Sequence, residues 1–188
     1  MDKKTLYETL VKSIQECKKC DLYKNKTHYV PGEGSLNARI MFIGEGPGRE
    51  EDMLGRPFVG AAGKFLTELL NKIGLARDDV YIGNIVKCRP PNNRVPLQNE
   101  IDACLPYLFA QISIIEPEII VILGNTPLNA LINPNLKISA VHGRFFEKDG
   151  YKFFVTFHPA AALYHGEYKM LLEEDFNKLK NELKMIKT

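Results

Sequence analysis

The sequence predicts an α/β fold, a parallel sheet of four strands covered by helices on both faces. Two observations carry this. Four short apolar runs, near residues 39–43, 80–86, 118–123 and 152–157, lack the apolar–polar alternation of a sheet with one wet face. Between them lie segments with apolar residues at helical spacing, as expected where crossover helices join parallel strands.

The elements follow in order. Residues 2–16 place Leu6, Leu10, Val11 and Ile14 on one stripe, predicting an amphipathic helix that ends at a Cys-x-x-Cys turn. A polar loop with Pro31, Gly32 and Gly34 leads to the first strand, Arg39–Ile43, which the glycine-rich GEGPG at 44–48 stops. Residues 61–73 form a helix with Phe65, Leu66, Leu69, Leu70 and Ile73 inward, closed by Gly74. Val80–Val86 is the second strand. Three prolines in RPPNNRVP, residues 89–96, exclude regular structure there. A helix from about Leu97 to Glu116 follows, with a kink or restart expected at Pro106. Glu118–Leu123 is the third strand, ended by Gly124 and followed by a helix near 126–133. Lys152–Phe157 is the fourth, and residues 166–185 form the final helix.

With 188 residues, 45% of them hydrophobic and 26% charged, the chain is long enough for one soluble domain with a full core. Its longest apolar run, Ile119–Leu123, is too short to cross a bilayer. The charged N-terminus lacks the apolar centre of a signal peptide, so a reducing cytoplasm is the expected compartment. A net charge of +2 rules out a general basic coat, yet backbone N–H groups and helix N-termini still allow phosphate binding. The only cysteines are Cys17, Cys20, Cys88 and Cys104. In a reducing compartment they read as metal ligands. Four thiolates suit zinc or an iron–sulfur cluster, and the wide Cys88–Cys104 pair departs from the paired knuckles of a zinc ribbon.

In a parallel sheet of this kind ligands gather at the carboxyl ends of the strands. There the unusual segments fall: GEGPG after the first strand, Asn84 and the Cys88 loop at the second, GNTP after the third and His158-Pro159 after the fourth. Small residues at Gly44 and Gly46 let a ligand approach the backbone, or simply make a tight turn. Phe58, in the stiff GRPFVG turn, either stacks on a planar base or plugs the core. Asn84 either pairs with a base edge or satisfies the local backbone. His158 either donates to a developing anion or serves packing.

Taken together, GEGPG (44–48), GRPFVGAAG (55–63), GNIVKCRPPNNRVP (83–96) and HPAAAL (158–163) resemble the type-4 uracil-DNA glycosylases, the iron–sulfur branch of the uracil glycosylase superfamily. The resemblance runs in order over nearly the whole chain. It implies a three-layer α/β/α sandwich on a four-stranded parallel sheet and a structural 4Fe–4S cluster on Cys17, Cys20, Cys88 and Cys104. It also implies an enzyme that flips uracil out of single- or double-stranded DNA and cuts its glycosidic bond. In that reading Phe58 stacks on uracil, Asn84 pairs with its N3–H and O4, and backbone groups of Gly44, Glu45 and Gly46 line the pocket. His158 stabilises the leaving uracil anion, Glu45 positions water or offsets the sugar's charge, and Glu51 crowds the C5 position against thymine. Lys64, Arg89 and Arg94 are expected at the DNA, with Leu163 as a wedge. The resemblance further implies a monomer working in the prokaryotic cytoplasm with the nucleoid; no motif speaks for a sliding clamp as partner.

Overall fold

The computed structural model describes residues 1–186. Strands β1 (Glu33–Gly34), β2 (Ile40–Gly44), β3 (Tyr81–Asn84), β4 (Ile119–Leu123), β5 (Arg144–Lys148) and β6 (Tyr151–Thr156) form one sheet in the order β1-β3-β2-β4-β6-β5. The pairs β3–β2, β2–β4 and β4–β6 are parallel, whereas β1 and β5 pair antiparallel at the two edges. The sheet is therefore six-stranded and mixed, which corrects the expected sheet of four parallel strands. Both additions have a local cause. β1 is only two residues long and shows no apolar run. β5 is mostly exposed, and a tight turn folds it onto β6, with Asp149 and Gly150 both at positive φ, 53° and 83°. Two left-handed residues make the turn whose twist matches a hairpin.

Every residue of β2, β3 and β4 is buried, so both faces of the sheet centre are covered. Register shows by what. Met41 lies beside Tyr81, and Phe42 beside Ile82. On the Met41 side, Tyr81 meets Tyr7 of α1 (Lys3–Gln15) at 2.6 Å and Gln111 of α4 (Gln98–Ile115) at 3.1 Å. On the other side Phe42 stacks on Phe176 of α8 (Gly166–Ile186), with ring centroids 5.9 Å apart. Helix α3 (Ala61–Lys72) packs against α8 on that same side. Apolar burial of this kind is the main stabilising term, at about 25 cal/mol per Å² of apolar surface.

The helix does not restart at Pro106. α4 runs unbroken from Gln98 to Ile115, with Pro106 exposed on its outer side. Four short helices were not foreseen or were only partly so: α2 (Arg49–Leu54), α5 (Asn125–Leu131), α6 (Ile138–Val141) and α7 (Ala161–Tyr164). α2, α5 and α7 follow the carboxyl ends of β2, β4 and β6. Chain order also matters there. β3 was added on one side of β2 and β4 on the other, so the order reverses beside β2. A crevice opens at such a reversal, between the loops after β2 and β4.

Candidate functional site

A cavity of about 320 Å³ lies at this end of the sheet, walled by the segments that follow β2, β3 and β6, at the small end of the roughly 300–1,000 Å³ typical of ligand pockets. Glu45, Gly46, Glu51, Phe58, Asn84 and His158 all line it, which brings together five separated segments of the chain. Gly44 contributes by what it lacks: a Cβ there would stand 2.6 Å from both Asn84 Oδ1 and Phe58 Cζ.

Asn84 ends β3 and is 2% exposed. Its Oδ1 is the one buried side-chain polar atom without a hydrogen-bond partner among the described residues. Its backbone, by contrast, is firmly held. Lys87 Nζ donates to the Asn84 carbonyl and to Gln111 Oε1, each at 2.8 Å. Gln111 Nε2 in turn donates to the Pro31 carbonyl at 2.8 Å and to Tyr81 OH at 3.1 Å. Burial lowers the Lys87 ammonium to about 8, offset in part by the nearby Cys104.

Phe58 is held in a conformation an aromatic residue rarely adopts, with φ at +49°. Such backbone strain persists only when the surroundings over-determine it. Arg77 donates to the Pro57 and Phe58 carbonyls, both at 2.8 Å. From the other side the Glu51 carboxylate accepts from Gly48 N at 3.0 Å, Val59 N at 2.9 Å and Gly60 N at 2.7 Å. Oε2 of Glu51, a residue expected to crowd a base, thus fixes the loop that carries Phe58, while Oε1 caps the start of α2 at Gly48. Gly63 is required at the start of α3, because a Cβ there would collide with the Phe58 carbonyl carbon and oxygen.

His158 follows β6, and its ring stacks on Phe58 with centroids 5.4 Å apart and planes 25° from parallel. The Ala160 N–H donates to His158 Nδ1 at 3.1 Å, which leaves the neutral ring's proton on Nε2. Burial depresses the imidazole to about 4, against the opposing pull of Glu51. His158 is therefore a neutral Nε2–H donor at neutral pH. Behind it, buried Asp175 of α8 accepts from Thr156 Oγ1 at 2.7 Å and from His142 Nδ1 at 2.9 Å, anchoring the end of β6. Thr126 Oγ1, from the segment after β4, donates to Glu45 Oε1 at 2.5 Å, which fixes one of the two carboxylate oxygens.

The residues expected at DNA separate into two groups. Lys64 is exposed and Leu163 stands 45% exposed on the cavity rim beside Tyr164, 81% exposed. Arg89 and Arg94 instead brace their own loop: Arg89 Nε donates to Asn93 Oδ1 at 2.8 Å, and Arg94 grips Glu100 with two bonds of 2.8 and 3.0 Å. Arg94 also reaches the cavity wall. Sequence reasoning missed Arg77, Thr126, Lys87 and Gln111. Each acts on a partner brought close only by the fold, save Lys87, whose partner Asn84 is three residues away in the same motif.

A second cavity gathers Cys17, Cys20, Cys88 and Cys104, walled by Ile14, Leu22, Tyr29 and Tyr107. All four thiols are free. Burial and the neighbouring thiols push Cys88 up to about 12, and burial raises Cys20 and Cys104 as well. Thiols so crowded ionise only with cationic charge among them. No three metal-ligating side chains among the described residues close around a single-ion position. Four cysteine sulfurs gathered round one cavity are soft donors of the kind that hold an iron–sulfur cluster or zinc.

Fold and cavity together define an α/β protein with a pocket at the strand ends, beside an all-cysteine site. Residues 31–184 match the family described as Uracil DNA glycosylase superfamily, and the chain belongs to that superfamily. Its relatives include several type-4 enzymes. The chain is 50% identical to the type-4 uracil-DNA glycosylase of Saccharolobus solfataricus over 94% of this chain and 86% of the relative. For those of Archaeoglobus fulgidus and Sulfurisphaera tokodaii, identity is 47% over 92% and 90%, and 49% over 92% and 83%, of the two chains respectively.

Two outcomes are expected from this geometry. Gly63→Ala should lower stability by about 1–3 kcal/mol through overpacking, with Phe58 displaced, as thermal unfolding and the Phe58–His158 ring contact would report. A neutral His158 in the fold means that the unfolded chain binds the extra proton between pH 6.5 and about 4. Stability is thus fully present above pH 6.5 and falls by on the order of 2 kcal/mol toward pH 4. Thermal unfolding of His158→Gln across that range should lack this part of the decline.

Proposed function

We propose that the protein hydrolyses the N-glycosidic bond of uracil in DNA and leaves an abasic site. The observation that carries this is the unpaired amide of Asn84, buried at the base of the cavity. A buried carboxamide oxygen without a partner costs about 1–3 kcal/mol, and uracil removes that cost. Uracil N3–H donates to Oδ1 while the amide N–H groups donate to O4. Cytosine presents the reversed edge and leaves both sides unpaired. Uracil lies inside the duplex stack, so the nucleotide must first turn out into the cavity. Phe58 offers an apolar ring face on which the base stacks. Gly44 and Gly46 let the base come against the backbone there.

As the bond loosens, negative charge collects on uracil O2 and positive charge on the sugar. The Nε2–H of neutral His158 meets the first, as a fixed donor with no proton to lose at neutral pH. Glu45, its Oε1 held by Thr126, directs Oε2 toward the attacking water or the sugar. Glu51 contributes to selection by fixing Phe58, and the narrow wall it builds leaves little room for the thymine methyl. Leu163 fills the gap left by the turned-out base, and Lys64 contacts phosphate. Weak binding to undamaged DNA should fall steeply with salt.

Cys17, Cys20, Cys88 and Cys104 would hold a 4Fe–4S cluster. When bound it supplies cationic iron that keeps the thiolates ionised and ties α1 to the loop after β3, with no redox step in turnover. The protein works as a monomer in the prokaryotic cytoplasm with the nucleoid.

Incubation with oligomers carrying uracil opposite G, opposite A or single-stranded should release uracil, while hypoxanthine and mismatched thymine should be poor substrates. No base release from any of them would overturn the proposal. Asn84→Ala and His158→Ala should each slow single-turnover uracil release by about 100-fold or more while unfolding at nearly the wild-type temperature. The purified protein should be brown with about four irons per chain, and a colourless protein holding one zinc would overturn the cluster assignment.

A further inference from the structure

One residue of the cysteine cavity bonds to a residue of the other. Lys87 lines the cysteine site and is 1% exposed, and its Nζ bonds the Asn84 carbonyl that ends β3. Its backbone is tied just as closely: Cys88 follows it directly in the chain, and its carbonyl accepts from Val30 N at 2.8 Å. Nζ lies on the sheet face opposite the Asn84 side chain, 3.7 Å from where a Gly83 Cβ would sit.

Packing alone does not explain a lysine here. Among the described residues no carboxylate pairs with its ammonium; the partners at hand are the neutral oxygens of Asn84 and Gln111. Burying a charge on such terms is unfavourable, and an aliphatic chain would fill the space at less cost. What the ammonium alone supplies is a strong bond to the Asn84 peptide. That bond matters because the Asn84 amide has no hydrogen bond to fix its oxygen. The direction of its pairing edge therefore depends on the backbone beneath it.

We propose that Lys87 is a positioning residue for base selection. It holds the Asn84 peptide so that the free amide faces the cavity, and through its own backbone it ties that edge to the cysteine site. The inference rests on the reading of Asn84 as the residue that pairs with uracil.

The test is a double-mutant cycle on the full, cluster-loaded chain, with Lys87→Met, Asn84→Ala and the pair. Single-turnover uracil release, inhibition by free uracil, binding to undamaged DNA and visible absorbance are measured for each. Lys87→Met should slow release and weaken uracil inhibition by about tenfold or more, with binding to undamaged DNA within about twofold of wild type and absorbance retained. In the Asn84→Ala background the same substitution should change the rate by less than about twofold, because its route through Asn84 is already gone. Should Lys87→Met not fold, Lys87→Gln carries the same cycle. Multiplying losses, or a Lys87 variant with wild-type release and inhibition, overturn the positioning role while the reading of Asn84 stands. Loss of the visible absorbance in both Lys87 variants also overturns it, by making Lys87 a part of the cysteine site alone. An Asn84→Ala protein with full activity refutes the reading of Asn84 itself.

Discussion

A carboxamide oxygen held out of water with nothing to accept from is the constraint around which this molecule is organised. Folding alone would bury Asn84 only with its amide paired, or would expose it. Here Gly44 is reduced to a hydrogen so that the amide and the Phe58 ring can lie side by side. The Asn84 backbone, by contrast, is held from the opposite face of the sheet. Lys87 is bound to the Asn84 backbone and to Gln111, and Gln111 to Pro31 and Tyr81. The pairing capacity that folding leaves unused is available to a ligand of matching edge.

The other walls follow the same logic of fixing groups before a ligand arrives. Phe58 is kept in a left-handed conformation by Arg77 on one side and Glu51 on the other. His158 is neutral and oriented by a backbone N–H, and one oxygen of Glu45 is locked by Thr126. Groups already in place need no reorganisation at the moment of reaction, which is where a buried polar site gains over water. The cysteine site extends this rigidity outward, since Cys88 begins the loop whose Pro90 and Arg94 form part of the cavity wall.

Much of this was legible in the chain because it is local. Wholly apolar runs located β2, β3, β4 and β6, and the residues directly after them supplied Glu45, Asn84 and His158. What escaped was of two kinds. β5 carries the Asp149-Gly150 hairpin signal, but its exposed residues show no buried face to mark a strand. The braces Arg77, Thr126 and Gln111 reach partners 19 to 81 residues away, and no spacing rule announces such pairs. Glu51 lies in the expected loop and lines the cavity, but its three backbone partners exist only once the loop has closed around it. The pairing of both Arg94 terminal nitrogens with Glu100 likewise forms only in the folded chain.

A crystal structure of the protein with free uracil tests the central claim most directly. The account predicts the base in the strand-end cavity against Phe58, its N3–H on Asn84 Oδ1 and its O2 toward His158 Nε2, with the Asn84 backbone unmoved. Uracil bound elsewhere, or an Asn84 amide turned to pair with the protein instead, would contradict it.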